Sequence, residues 1–161
     1  MKIQKTLWVT LITLLIGCFA SGAYARNSFL VDAQLNSVSG GVGLNTGLVV
    51  TRGQLLAIDA ATQDKWSINP DTAYFCNANG EGNPFGTSLD SSFTLPGTDF
   101  TFLYGTLVGS LDDGKTFFPI GTHSEQMIVI ESGTLSLYMW DRDSANNSGK
   151  ITVDIDVYNS N

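Results

Sequence analysis

The most regular stretch of the chain is its last, Ile151-Thr-Val-Asp-Ile-Asp-Val157. Ile151, Val153, Ile155 and Val157 alternate with Thr152, Asp154 and Asp156. A period of two places the aliphatic side chains on one face and the acids in water, the pattern of a half-buried β-strand. Runs rich in Val, Ile, Thr, Phe and Tyr recur at 28–35, 47–51, 54–61, 100–109, 116–120, 126–131 and 134–140. These residue types favour strands because branched and aromatic side chains pack well on a pleated surface.

Turn chemistry separates the runs. Ser39-Gly40-Gly41, Arg52-Gly53, Asp112-Asp113-Gly114 and Ser132-Gly133 each bring residues that tolerate tight turns, and Asp-Gly is a common hairpin tip. No stretch carries an apolar stripe at helical spacing, no long repeat is present, and no linker divides the chain. About eight short strands at this spacing predict an all-β antiparallel sandwich or jelly roll in a single domain. Residues 69–99 are less regular, with an evident loop at Asn77–Pro84.

The first 25 residues read differently. Lys2 and Lys5 precede an uncharged, largely apolar run from Thr6 to Ala20, and Ala23-Tyr24-Ala25 follows. That order is a signal peptide ending at Ala25, with a mature domain over 26–161. The apolar run is short for a membrane span, which needs about 20 residues, so no transmembrane segment is expected in the mature chain. Leu15-Ile16-Gly17-Cys18 offers a second processing site, at which Cys18 would be lipidated to give an outer-membrane lipoprotein. The expected destination is the periplasm or the extracellular space. Cys76 alone survives cleavage after Ala25, so no disulfide forms within one chain.

Two of the eight basic residues lie in the leader, so six face fifteen acids and the mature chain carries a formal charge of −9. Phosphate backbones bind Lys and Arg, so nucleic acid is not a partner. Catalytic signatures are missing too: no G-x-S-x-G, H-E-x-x-H or C-x-x-C occurs, and His123 sits in a polar stretch beside Thr122 and Ser124, where it reads as a loop residue. No enzyme is expected.

One segment concentrates chemistry. Trp140-Asp-Arg-Asp-Ser-Ala-Asn-Asn-Ser-Gly149 lies between two predicted strands and holds Asp141, Asp143, Asn146 and Asn147 within seven residues. Calcium takes six to eight oxygens from carboxylates, amides and backbone carbonyls, and such a loop can supply several of them. Asp, Asn, Ser and Gly are equally the ordinary residues of a polar turn. Alternation points Trp140 away from Asp141, toward packing on the opposite face. Trp66 and Phe85 are the candidate aromatic platforms for a sugar.

Asn146-Asn147-Ser148-Gly149 before an alternating strand, with Asp141 closing the strand ahead of it, resembles the PA-I-type galactophilic lectins of bacteria. Thr51–Ile58 is similar to that family's turn and strand before its first calcium contact, near Trp66. Gly105–Gly109 and Phe117–Gly121 look like its middle hairpin. The resemblance spans most of 29–158 and implies a Ca2+ ion held by the Asp141 carboxylate and the Asn146 and Asn147 amide oxygens. Backbone carbonyls of Asp143 and of the loop near Trp66 would complete the protein ligands. It implies that sugar hydroxyls finish the calcium shell, with Asp141, Arg142 and Asn146 at the sugar, and a galactose-type glycan as the ligand. Departures accompany the match: the Asp141–Asn146 loop is shorter than the family's, and residues 77–99 differ where the family carries its galactose-gripping His and Gln. The expectation is an exported, calcium-dependent carbohydrate-binding protein. The alternative is a calcium-stabilised structural or protein-interaction domain without sugar binding, and a homo-oligomer is compatible with either.

Overall fold

The computed structural model describes residues 26–70, 74–82 and 91–159. The leader, with Cys18 and the Ala23–Ala25 pattern, lies outside them, and so does Phe85. The strand predicted from period two at the end of the chain is the longest element, β12 (Ser148–Tyr158). Ile151, Val153 and Ile155 are completely buried while Thr152, Asp154 and Asp156 are not, as alternation requires.

The first sheet is organised on β12. β1 (Asn27–Asp32) pairs antiparallel along it, Asn27 opposite Ile155 and Asp32 opposite Lys150. β3 (Leu55–Ala60) and β4 (Lys65–Ser67) also run antiparallel to β12, β3 against its C-terminal half and β4 against Ser148–Lys150. The turn between β3 and β4 stays in register through Ala61 N–H donating to the Thr152 carbonyl at 2.9 Å and Thr152 N–H donating to Asp64 Oδ2 at 2.7 Å. β5 (Phe75–Cys76) extends the sheet beyond β4, and β10 (His123–Ile128) lies outside β3.

The second sheet has the order β2 (Leu44–Val50), β11 (Gly133–Met139), β8 (Leu107–Ser110) and β9 (Phe118–Pro119). Asp112-Asp113-Gly114 lies in the β8–β9 connection, with Asp113 at φ 58 and Gly114 at φ 80. A ribbon of β6 (Ser92–Thr94) and β7 (Thr101–Leu103) forms the third sheet.

β11 explains how the layers join. Leu135, Leu137 and Met139 belong to the main core with Val31, Ile58, Trp66, Ile151 and Ile155. Tyr138, of opposite parity, joins Trp140, Val108 and Phe117 in a second core that Phe93, Phe100 and Phe102 of the ribbon region cover. Trp140 meets Phe102 edge-on at 4.9 Å and Phe117 at 5.3 Å, favourable geometries for aromatic quadrupoles. Its indole N–H donates to the Phe93 carbonyl at 2.8 Å. Trp140 therefore packs on the opposite face, as its strand position implies.

Several expectations are corrected. The run 100–109 is not one strand: it turns at Gly105, whose φ is +76 and where a Cβ would lie 2.5 Å from Cys76 Sγ. The 28–35 run ends at Asp32, because its carboxylate accepts the Gln34 and Leu35 N–H groups at 2.9 Å each and starts a turn. β4, β5 and β6 are two or three residues long and escaped a pattern test that needs longer windows. Among the described residues twelve strands stand where about eight were expected. His123 is the first residue of β10 and contacts the Asp59 carboxylate, which also binds Arg26 at 2.9 Å. Trp66 is no platform: it is completely buried, with its indole N–H donated to the Gly105 carbonyl at 2.8 Å.

Candidate functional site

β11 carries the chain out of the sandwich into the Asp141–Asn147 loop. Trp140 N–H still donates to the Thr106 carbonyl at 2.9 Å. One residue later, the Asp141 carbonyl accepts the Ser37 hydroxyl at 3.3 Å and the Ser39 hydroxyl as well. These bonds anchor the first residue of the loop to the segment after β1. The loop then closes on itself. Asp143 Oδ1 accepts Ala145 N–H at 3.1 Å and caps a 3-10 turn over Ser144–Asn146, and Asn147 N–H returns to the Ser144 carbonyl at 3.2 Å.

Gly149 makes the exit possible. Its φ is +91, and a Cβ there would stand 2.5 Å from the Lys65 carbonyl oxygen and 2.7 Å from Trp66 Cα. Only glycine lets β12 meet β4 this closely two residues after the Asn pair.

Asp141 is 3% exposed. Its Oδ1 accepts Arg142 N–H at 2.8 Å and its Oδ2 accepts Asp143 N–H at 3.4 Å. Burial pushes its carboxyl above the ordinary value, and the negative charge of Asp143 adds to this. The bonds from Arg142, Asn147 and Asp143 pull the other way without prevailing. A buried carboxylate in that condition gains from a nearby cation.

The two asparagines supply the other half of the geometry. Asn147 is buried, and its Nδ2 donates to the Ala33 carbonyl at 3.2 Å, with Met139 Sδ at 3.5 Å. A carbonyl can only accept, so the nitrogen must face Ala33 and the oxygen must face away. Asn147 Oδ1 is then buried without a hydrogen-bond partner, and so is Asn146 Oδ1. Two orphaned amide oxygens in one loop are unusual, since nearly all buried polar atoms are paired. Their chemistry fits a hard cation: neutral oxygen donors beside a carboxylate are what calcium prefers, and neither oxygen can be satisfied by another acceptor. Among the described residues no group of three or more His, Cys, Asp or Glu side chains is placed to hold a metal. A cation at this loop would thus depend on amide and backbone oxygens, with the Asp143 carboxylate already engaged as a cap.

The loop forms one wall of a cleft of about 240 Å³. Asp141, Arg142, Asp143 and Asn146 line it together, whereas Asn147 is not among its lining residues. Trp66 does not line it, but Ile68 and Asn69, just after β4, do. The remaining wall was not legible in the sequence: Glu81 follows β5, Ser91 precedes β6, and Tyr104 lies between β7 and β8. No local pattern marks these residues, because only the folding of two separate connections, β5–β6 and β7–β8, brings them to the cleft. Burial raises the Tyr104 hydroxyl above its usual value; Arg142 opposes this, and the charges of Asp141 and Glu81 reinforce it.

No protein-family model matches the chain, and no curated protein does. A solved structure does: the chain is similar to the EclA N-terminal domain, described as a PllA-like lectin, with 22% sequence identity and a TM-score of 0.58. The match covers 81% of this chain and 94% of that one. At such identity the likeness is one of fold, and it agrees with the lectin resemblance read from Asp141 and Asn146–Gly149: the chain has the all-β sandwich fold of a PllA-like lectin domain.

Proposed function

We propose that this chain is an exported, calcium-dependent carbohydrate-binding protein whose site is the Asp141–Asn147 loop and the cleft beside it. The observation that carries the reading is the pair of buried, unpartnered amide oxygens of Asn146 and Asn147 next to a buried carboxylate. Asp141, Asn146 and Asn147 would hold the ion through side chains, and Asp143 through its carbonyl. Calcium would supply open coordination positions for paired sugar hydroxyls, since these few ligands leave a shell of six to eight incomplete. Asp141 and Arg142 line the cleft and would hydrogen-bond the sugar, a galactose-type glycan being the class that the family likeness suggests. A mouth built from one loop and three connections favours small, weakly bound ligands over an extended surface.

Glycan-array binding with and without calcium, followed by titration calorimetry, tests the reading. Calcium-dependent binding is expected. Tight calcium binding with no glycan bound at millimolar concentration would replace it with the calcium-stabilised structural domain. Export is part of the same proposal, and mass spectrometry of the native protein should find Arg26 at the N-terminus. A lipid on Cys18 would instead identify an outer-membrane lipoprotein. Among the described residues no helix is long and apolar enough to cross a membrane.

A further inference from the structure

We propose that the outer edge of β10 pairs with the same edge of a second copy of this chain, joining the two first sheets across a two-fold axis at Val129. This contact is separate from the carbohydrate-binding reading and does not depend on it.

β10 ends the first sheet, with β3 on one side and, among the described residues, no strand on the other. Beyond Ile128 the ladder runs one step further: Val129 N–H donates to the Gln54 carbonyl at 2.8 Å, and the Val129 carbonyl accepts Gly53 N–H at 2.8 Å. Val129 thus turns both backbone groups toward the β3 side, and Ile128 and Ile130 on either side of it turn theirs outward. Their side chains are 67% and 74% exposed, whereas Val129 is buried. Soluble proteins blunt such edges with charge, proline or a bulge. Here an irregularity between Ser124 and Met127, with Glu125 and Gln126 exposed, protects the first part of β10. Met127-Ile-Val-Ile130 carries neither charge nor proline and is apolar on both faces. This stretch is remote from the connections outside the described residues. They flank β5, which lies beside Trp66 opposite Gly149, whereas Ile128 lies beside Leu55 opposite Tyr158, near the other end of β12.

The residues around Val129 suit a copy of themselves. With the axis at Val129, Ile128 faces Ile130 of the second copy, Met127 faces Glu131, and Gln126 faces Ser132. Each isoleucine pair exchanges both of its N–H···O bonds and gathers the exposed side chains of both copies on one face. No like charges stand directly opposite, so this register carries no such penalty. The 26–161 portion carries a formal charge of −9, so two copies repel at long range. A basic extended peptide on the same edge would be attracted by that charge. Salt separates the two occupants, because screening strengthens a contact between copies and weakens one with a basic peptide. The Asp141–Asn147 loop precedes β12 at its other end, so the contact leaves the cleft open.

The test is sedimentation velocity of the mature protein over about 1–200 µM, with calcium and with chelator. A reversible dimer is expected, with a dissociation constant of roughly 10–100 µM, because one short strand edge makes a small interface. Calcium should leave it unchanged, and raising the salt from about 0.05 to about 0.5 M should tighten it. Amide exchange at Ile128 and Ile130 should slow as concentration rises, since only pairing occupies those N–H groups. Ile130→Lys sets like charges beside the axis and should weaken the dimer at least about tenfold. Val49→Lys, at an exposed position of the edge strand β2 in the other sheet, should not. The dilution series and the amide exchange use the unmodified protein, so a folding defect in a variant cannot mask the outcome. A monomer over the whole range, a dimer with unprotected Ile128 and Ile130 amides, a dimer that Ile130→Lys leaves intact or Val49→Lys equally weakens, or dissociation by salt would overturn the proposal.

Discussion

At the scale of single residues, two aspartates of this chain are in opposite conditions. Asp141 is buried, and its charge is costly without a cation. Asp112 is only half-buried, and burial works against its charged form, but it accepts Thr116 N–H and Oγ1 at 2.9 Å each, the Ser110 hydroxyl at 2.9 Å and Lys115 N–H at 3.2 Å. These bonds hold its carboxyl below the ordinary value of 3.8. Asp141→Asn should therefore lower calcium affinity at least roughly tenfold, as expected when an ion loses its one buried anionic ligand, and Asp112→Asn should leave it unchanged. Calorimetric calcium titration of both variants checks this. The pH response of Asp112 follows from its sign. A folded-state value depressed below the unfolded one contributes stability that is complete above 3.8 and is lost as pH falls through the folded value. Urea unfolding of the native protein should thus lose stability below roughly pH 4 faster than Asp112→Asn does. Equal slopes would show that the turn does not prefer the ionised side chain.

Among the elements, β12 links the core to the site. Its apolar face fills the sandwich, and its first residues leave the Asn146–Asn147 loop through Gly149. Gly149→Ala should cost about 1–3 kcal/mol from the left-handed backbone alone, and more from the contact with the Lys65 carbonyl. Calcium affinity should fall as well, because any shift that relieves the clash displaces Asn147 relative to Ala33. Denaturant melts and calcium titration of the variant measure the two effects. A variant with wild-type stability would mean that β12 and β4 can separate there at no cost. β11 is the complementary case: with one face in each core, it couples the aromatic layer to the sandwich, and Trp140 at its end fixes where the loop begins.

For the whole molecule, the central expectation is linkage. The Asp141–Asn147 loop depends on Ser37, Ser39 and Ala33, which are near it only in the folded state. An ion bound there should stabilise the native protein by mass action, about 2.7 kcal/mol at a hundredfold excess over its dissociation constant. For a domain of this size that amounts to a rise in Tm of several degrees, since about 1 kcal/mol corresponds to roughly 2–8 °C. Scanning calorimetry of metal-free protein with and without calcium provides the measurement. An unchanged Tm would remove the calcium reading, and Asp141→Asn should lose the shift while Asp112→Asn keeps it.

The sequence by itself determined the features that depend on near neighbours in the chain. Alternation at Ile151–Val157 identified the face of β12, because side-chain direction in a strand follows from the backbone alone. The clustering of Asp141, Asp143, Asn146 and Asn147 identified the loop, because one short segment carries those donors. The same locality explains why strand parity placed Trp140 correctly. Tertiary structure decided the rest. Glu81, Ser91 and Tyr104 reach the cleft through pairings far apart in the chain, Asn147 is oriented by the carbonyl of Ala33, and Trp66 is withdrawn into the core by Gly105. β4 takes its ladder positions from the longer β12, β5 pairs with β4 and β6 with β7, and two or three residues carry no period of their own. A local pattern records which way a side chain points, and only the packed fold determines what it meets there.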